Sequence, residues 1–261
     1  MKLFAIDLNN IGYILGNSNQ LHRKGLLKFT DGLRRGLRTR KFVILDDSKP
    51  YFRKIFYPDY KANRKPRKVD YKKAMKALRQ ECEDIICAVP RMEVDDLMGV
   101  LARDERLEKL IAVSNDSDFK QFYAFRKFSQ FLPQKRSSLK FDRRKCFEKF
   151  VTTILKGDEG KDNIKKSHNH RQIRTKKLGP VLDRVFKDVL QASQEAQIRT
   201  ITDLPLQDII WQNLSEAWDM DEGKFGINFD LNCLIQPIYA KYLDDLNDEV
   251  VLGEIYRKIQ A

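Results

Sequence analysis

Two groups of carboxylates stand on either side of a short charged gap between Met92 and Phe119: Glu93, Asp95 and Asp96 first, then Asp116 and Asp118. Val94, Leu97, Met98 and Leu101 recur at three- and four-residue intervals, the apolar stripe of a helix. On such a helix Glu93 and Asp96 leave from one face. Ile111-Ala112-Val113 reads as a buried strand that runs into the turn holding Asp116 and Asp118. In an open α/β sheet the ligand crevice lies outside the carboxyl ends of the strands. So many carboxylates facing one crevice repel one another and resist desolvation, and such a cluster persists only where some protonate or a hard cation neutralises them. Oxygen-only ligation is what Mg2+ or Mn2+ takes, often with waters and substrate phosphate oxygens completing the sphere. An acidic first turn favoured by the helix dipole accounts for Glu93, Asp95 and Asp96 taken alone. The second acidic group, at a strand end, favours the cation.

Two further strands end the same way. Lys2-Leu3-Phe4-Ala5-Ile6 is a continuous apolar run ending in Asp7, and Lys41-Phe42-Val43-Ile44-Leu45 ends in Asp46-Asp47. Capping of the following helix is an equal account of Asp7 by itself, but three strands ending in aspartate exceed chance. Around them lie a basic, helix-compatible stretch at 20–40, a helix at about 70–88, a strand and basic turn at Gln130–Arg136, and an amphipathic helix at 145–156 built on Phe147, Phe150, Val151, Ile154 and Leu155. These elements predict an α/β fold with a mainly parallel central sheet flanked by helices.

The chain's 261 residues are enough for one large domain or a catalytic domain with a smaller one. A formal charge of +13 points to a polyanion, with nucleic acid ahead of an anionic membrane surface. No stretch has the length of a membrane span or the pattern of a signal peptide, so an intracellular, soluble chain of the cytoplasm is expected. Cys82, Cys87, Cys146 and Cys233 show no zinc spacing and are expected to be reduced, packed thiols. From Tyr51 to Lys68, basic and aromatic residues interleave, and Pro58 and Pro66 break any single helix. Cations for phosphates beside rings for bases is the composition of a segment that binds single strands.

In order, the Asp7 and Asp46 strand ends, Phe52-Arg53, Tyr60-Lys61-Ala62-Asn63-Arg64, Glu93-Val94-Asp95-Asp96, Asp116-Ser117-Asp118 and Gly157-Asp158 to Asp162-Asn163-Ile164 resemble the 5′-nuclease family. That family comprises flap endonucleases and the 5′→3′ exonuclease domains of bacterial DNA polymerases. The Leu155-Lys156-Gly157-Asp158 lead-in is most similar to the T-even phage ribonuclease H branch. The resemblance covers residues 1 to about 165. It implies a PIN-like sheet and a metal-dependent nuclease domain at 1–165, followed by a helical region at 166–261 that binds DNA or a partner. It also implies two or more Mg2+ ions, replaceable by Mn2+, held by Asp7, Asp46, Glu93, Asp95, Asp96, Asp116, Asp118, Asp158 and Asp162. Lys61 would stabilise charge on the scissile phosphate, Arg64 would steer the strand, and Tyr60 would stack on an unpaired base. Arg53, Lys65, Arg67 and Lys68 would contact nucleic acid.

The implied activity is that of a monomeric 5′→3′ exonuclease and flap endonuclease acting on DNA and RNA–DNA hybrids, removing RNA primers or 5′ flaps during replication. A single-strand-binding or replication protein would be its partner. A PIN-type endoribonuclease shares the sheet but needs neither Tyr60–Arg64 nor Gly157-Asp158. A non-catalytic clamp for branched DNA gains nothing from the carboxylates. Where many members carry a glycine-rich helix-hairpin-helix with a potassium ion, this chain has Lys165-Lys166-Ser167 and Arg171, Arg174, Lys176 and Lys177, so duplex contact rests on charge. His168 and His170 read as loop. Trp211 and Trp218 lie among apolar stripes without chemistry, and the acidic tract Asp244–Glu249 would repel DNA and is expected to face a protein partner. Family members usually space the two aspartates of the last motif by three residues, whereas Asp158 and Asp162 are four apart and Glu159 competes for the position. Gly160 can absorb the extra residue. Asp158→Asn is therefore expected to weaken Mg2+-dependent cleavage strongly and Glu159→Gln to leave it almost unchanged, read as cleavage rate against Mg2+ concentration.

Overall fold

The computed structural model describes residues 1–37, 41–65, 69–124, 127–139 and 247–260, with isolated residues between 142 and 216. Its centre is a six-stranded sheet. Strand β1 (Lys2–Asp7) pairs in parallel with β2 (Lys41–Leu45) on one side and with β4 (Lys109–Val113) on the other. The sheet order is β3-β2-β1-β4-β5-β6, with β3 at Ile86–Cys87, β5 at Phe128–Leu132 and a short antiparallel β6 at Ser137–Ser138. Leu3, Phe4, Ala5, Ile6, Val43, Ile44 and Leu45 are fully buried, the reason these strands are unbroken apolar runs rather than alternating ones.

From β1 the chain builds outward to β2 and β3, then crosses to β4 and β5 on the opposite side. The order therefore reverses between β1 and β4, and a crevice opens beyond their carboxyl ends. Helix α1 (Leu8–Asn17) leaves β1 without a loop, because the Asp7 carboxylate caps it by accepting from Asn10 N at 3.0 Å. Helix α2 (Arg23–Leu37) returns the chain to β2, and the one-turn α3 (Arg53–Phe56) follows. Helix α4 (Val69–Glu81) packs tightly on α1, where a Cβ at Gly12 would stand 2.6 Å from Met75 Sδ. Helix α5 (Val94–Arg103) buries Val94, Leu97, Met98, Val100 and Leu101, the stripe expected from its spacing.

The helix expected to reach residue 88 stops at Glu81. Ile86 and Cys87 instead pair with Ile44 and Leu45 as β3. Two residues are too few to show alternation, and Ile85-Ile86 extends the helical stripe in sequence, so only the tertiary pairing separates the two elements. The helix expected at 145–156 lies mostly outside the described residues. Cys82, Cys87 and Cys146 are free and buried, as expected, while Cys233 lies outside the described residues.

The last helix bears on the acidic tract, of which Asp244 and Asp245 lie outside the described residues, and on the division at residue 165. Helix α6 (Asp248–Arg257) buries Val251, Leu252 and Ile255 against the sheet domain, and Gln260 bridges to Phe42. Asp248 receives both Arg103 Nε and Arg103 Nη2 at 2.7 Å, so its charge is used inside the chain rather than offered to a partner. At least Asp248–Gln260 thus belongs with the first unit. Among the described residues no helix is long and apolar enough to cross a membrane. Truncating Ile255, which is fully buried, to alanine should lower unfolding free energy by about 2–4 kcal/mol, whereas Val250→Ala on the exposed face of α6 should change it by under about 0.5 kcal/mol. Urea titration of the two variants distinguishes a docked helix from a loose tail.

Candidate active site

Four segments deliver carboxylates to the crevice. Asp7 ends β1, Asp47 follows β2, Glu93 and Asp95 sit at the start of α5, and Asp116 and Asp118 follow β4, with Asp118 opening a 3-10 helix at Asp118–Ala124. Together with Asn9, Asn10, Tyr13, Lys61, Arg64 and Val94 they line a cavity of about 160 Å³. Among the described residues, six carboxylates therefore face two cations.

The acids are held by their neighbours. Asp7 Oδ2 accepts from Ser114 Oγ at 2.9 Å, and Ser114 Oγ accepts from Asp116 N at 3.0 Å, so one hydroxyl links β1 to the acidic turn after β4. Asp116 Oδ1 accepts from Asp118 N at 2.9 Å, closing that turn. Gln130, from β5, donates to the carbonyls of Ser114 and Asp116 at 2.9 and 2.7 Å. Asn10 Oδ1 accepts from Asn115 N at 3.0 Å. Asp47 accepts from Val94 N at 2.9 Å and from Tyr51 Oη at 3.2 Å, which fixes it to the first turn of α5.

Beneath the crevice, Arg53 is a buried clamp. Its Nη1 donates to Glu93 Oε2 at 2.9 Å and to Asp96 Oδ2 at 2.7 Å, and Asp96 Oδ2 also accepts from Glu93 N at 2.9 Å, half of a capping box. Tyr60 Oη donates to Glu93 Oε2 at 2.9 Å, and Lys61 pairs with Glu93 Oε1. Although burial works against its charge, Arg53 and Lys61 hold Glu93 below the usual carboxylate range. Asp7, Asp95 and Asp47 shift the other way. Burial, with the charges of Asp47 and Asp116, pushes Asp7 up to about 7. Burial and the charges of Asp116, Glu93 and Asp118 raise Asp95 well above its ordinary value, and burial and Glu93 raise Asp47.

A hard divalent cation fits this donor set. The acidic groups offer only oxygens, and among the described residues no histidine or cysteine lines the cavity and negative charge is in excess. Among the described residues no three acids, thiols or imidazoles close round a single point as a finished cage. The carboxylates line an open crevice, an arrangement suited to a cation that keeps several waters and takes phosphate oxygens.

A family model described as 5′–3′ exonuclease, N-terminal resolvase-like domain, matches residues 5–151. The chain belongs to this 5′–3′ exonuclease family. Ribonuclease H of Enterobacteria phage T4 is 28% identical over 174 residues, which are 61% of this chain and 54% of the relative, so the match spans about half the relative's length. The T5 D15 protein co-crystallised with metal ions has a TM-score of 0.65 at 17% identity, covering 99% of this chain and 100% of that one. A bacteriophage T5 flap endonuclease in a pseudo-enzyme–product complex with DNA and metal ions has a TM-score of 0.64 at 18% identity, covering 99% of each chain. The family resemblance drawn from the ordered motifs and the PIN-like, mainly parallel sheet are both borne out.

Within this exonuclease-family chain the site residues divide into those the fold brings to the crevice and those it does not. Asp7, Glu93, Asp95, Asp116, Asp118, Lys61 and Arg64 line it. Asp46 does not: Arg79 Nη2 donates to it at 2.9 Å and Asn9 Nδ2 at 3.2 Å, so its charge is met on the α4 side, and Asp47 takes the crevice position. The two aspartates are adjacent in sequence, and the contacts of Asp46 with Arg79 and Asn9 are what set it on the other side. Asp96 is fully buried on Arg53 and also stays out of the lining. Arg53 and Tyr60, expected to contact nucleic acid, are buried at 1% and 4% exposure, where one clamps acids and the other donates to Glu93. Lys65 is exposed. Arg67, Lys68, Asp158 and Asp162 lie outside the described residues, as do His168 and His170. Asn163 is described: its carbonyl accepts from Tyr57 Oη at 2.7 Å and its Nδ2 donates to Asp59 O at 3.1 Å.

Ser114, Gln130, Asn10 and Tyr13 had no signal of their own, since each acts through a partner on a distant element. Tyr13 is 47% exposed at the crevice and stacked on Tyr71 with centroids 4.7 Å apart.

Because the Asp7 pKa rises from the ordinary 3.8 to about 7 on folding, the ionised carboxylate destabilises the metal-free fold. That cost is absent below about pH 4, grows between about pH 4 and 7, and is complete above. Asp7→Asn keeps the cap of α1 and should therefore stabilise the EDTA-treated protein at pH 8 by about 1–3 kcal/mol, with the advantage vanishing at about pH 4. Urea unfolding at the two pH values checks both the size and the sign.

Proposed function

We propose that the protein is a divalent-metal-dependent phosphodiesterase acting at or near 5′ ends and 5′ flaps of DNA, and on the RNA of RNA–DNA hybrids. The observation that carries this is the meeting of six carboxylates with Lys61 and Arg64 in one crevice at the switch point of the sheet. Family membership supports the reaction class. The T4 relative is named ribonuclease H, and a T5 neighbour is a flap endonuclease in complex with DNA and metal ions.

In this reading Asp7, Asp47, Glu93, Asp95, Asp116 and Asp118 would hold Mg2+ or Mn2+, with Asp158 and Asp162 extending the set. Such ions supply Lewis acidity and lower the pKa of water toward neutrality. Lys61 directs its ammonium to the scissile phosphate, where charge develops. Arg64, exposed at the rim, steers the strand by its phosphates. Tyr13 presents an exposed ring to an unpaired base, the role the buried Tyr60 cannot fill. Asp96 acts through Arg53, which also holds Glu93, and Asp46 acts through Asn9, which lines the crevice. The catalytic unit is residues 1–165 together with α6, and the intervening C-terminal residues grip DNA or a replication partner. The enzyme works as a monomer that removes RNA primers or 5′ flaps.

End-labelled 5′-flap, nicked, single-stranded and RNA–DNA substrates decide it. Cleavage is expected with Mg2+ or Mn2+, and none in EDTA. Asp116→Asn should lose at least about 100-fold in rate while still binding DNA, since an amide cannot supply the charge that holds a hard cation. Full activity in EDTA would remove the metal from the mechanism, and cleavage of single-stranded RNA alone would favour a PIN-type ribonuclease.

A further inference from the structure

Glu93 divides its oxygens between two kinds of partner. Oε2 accepts from Arg53 Nη1 and Tyr60 Oη, both at 2.9 Å and both buried. Oε1 is left for the crevice, and Lys61 holds it. The lysine is placed there by its backbone: its φ of 60° lies in the left-handed region that residues with side chains rarely adopt. Its ammonium also lies 5.1 Å from the Tyr51 ring centroid and 5.0 Å from that of Tyr60. Its charge favours the ionised forms of Glu93, Asp47 and Asp95 together. Lys61 therefore does for the crevice what a metal ion would do, from an oxygen a metal ion would need.

We propose that Lys61 is the resident counter-ion of the metal-free crevice, displaced from Glu93 Oε1 by an arriving divalent cation and so released toward the substrate phosphate. The proposal rests on the metal-centre reading above. An ammonium and a divalent cation on one carboxylate oxygen repel each other, so the two occupancies exclude one another. The Tyr51 and Tyr60 rings flank the ammonium where it already sits, so part of its stabilisation does not depend on the carboxylate it would give up. Metal loading and positioning of the phosphate-binding lysine thereby become one event: the empty site keeps its lysine on Glu93, and the loaded site offers it to substrate.

The test is Mn2+ binding to the full chain without nucleic acid, followed by the electron paramagnetic resonance of free Mn2+. Lys61→Met, which keeps the aliphatic stem and removes the charge, should bind Mn2+ about tenfold more tightly than the unsubstituted protein, since the competing cation is gone. Lys61→Arg should stay close to the unsubstituted protein, and Lys61→Gln repeats the measurement should methionine disturb the fold. Adding Asp116→Asn to Lys61→Met should abolish the gain, which assigns it to the crevice. Equal or weaker binding by the uncharged variants overturns the exchange while leaving the metal centre intact. A gain that survives Asp116→Asn overturns it too. Failure of every variant to bind Mn2+ overturns the metal-centre reading and the exchange with it.

Discussion

Like-charge repulsion at the carboxyl end of the sheet is the constraint to which the rest of the molecule responds. The parallel strands bring Asp7, Asp47, Asp116 and the start of α5 to one crevice, and in a desolvated site unit charges of the same sign repel strongly. The fold meets this by sorting the acids. Asp46 and Asp96 are turned away and neutralised by Arg79 and Arg53. Asp7 and Asp116 are spaced by the Ser114 hydroxyl. Asp7 and Asp95 remain buried in the crevice among like charges, and both resist ionisation. On the proposed reading, such a site gives up stability for affinity toward a cation, the trade expected where function needs groups that folding disfavours.

The parts of this arrangement legible in sequence were those encoded by short-range pattern. Unbroken apolar runs marked β1, β2 and β4, and the stripe from Val94 to Leu101 marked α5, because burial of a strand or a helix face leaves a period in the chain. Aspartate after each strand marked the crevice. The parts missed depend on pairings between distant segments. Ile86–Cys87 becomes a strand only beside Ile44–Leu45, and Asp248 becomes an internal ion-pair partner only because α6 returns to Arg103. The choice between Asp46 and Asp47 turns on Arg79, thirty-three residues away. Tyr60 and Arg53 look like nucleic-acid contacts by composition, since nothing local distinguishes a basic residue facing phosphate from one facing a buried carboxylate.

The helix that carries Glu93 and Asp95 is held at both ends. At its start, Arg53 and the Glu93–Asp96 backbone bond fix the first turn, and Val94 N is tied to Asp47. At its end, Arg103 is bidentate to Asp248, while Asp104 accepts from Arg106 and takes the Tyr256 hydroxyl. Arg106 also lies 4.4 Å from the Tyr256 ring centroid. Displacing a catalytic group by a fraction of the distance between ligands is enough to lose a cation's geometry, so rigidity at the far end of α5 bears on the crevice at its near end. The chain's last helix thus contributes to the site without approaching it.

The two cations on Glu93 differ in kind, and the difference matches their places. Arg53 is planar, permanently charged and weakly hydrated, and at 1% exposure it satisfies two carboxylates at once; removing it would strand buried charge. It is built to stay. Lys61 is a compact point charge on a flexible stem, and it reaches Glu93 from the open side of the crevice beside two aromatic faces. A strongly hydrated ammonium at a partly open position can leave a carboxylate with little disturbance to the packing beneath it. The same glutamate is therefore anchored through one oxygen and exchangeable through the other. The proposed exchange, in which Glu93 is held in place before a cation arrives and gives up a partner when it does, requires that division between a buried guanidinium and an accessible amine.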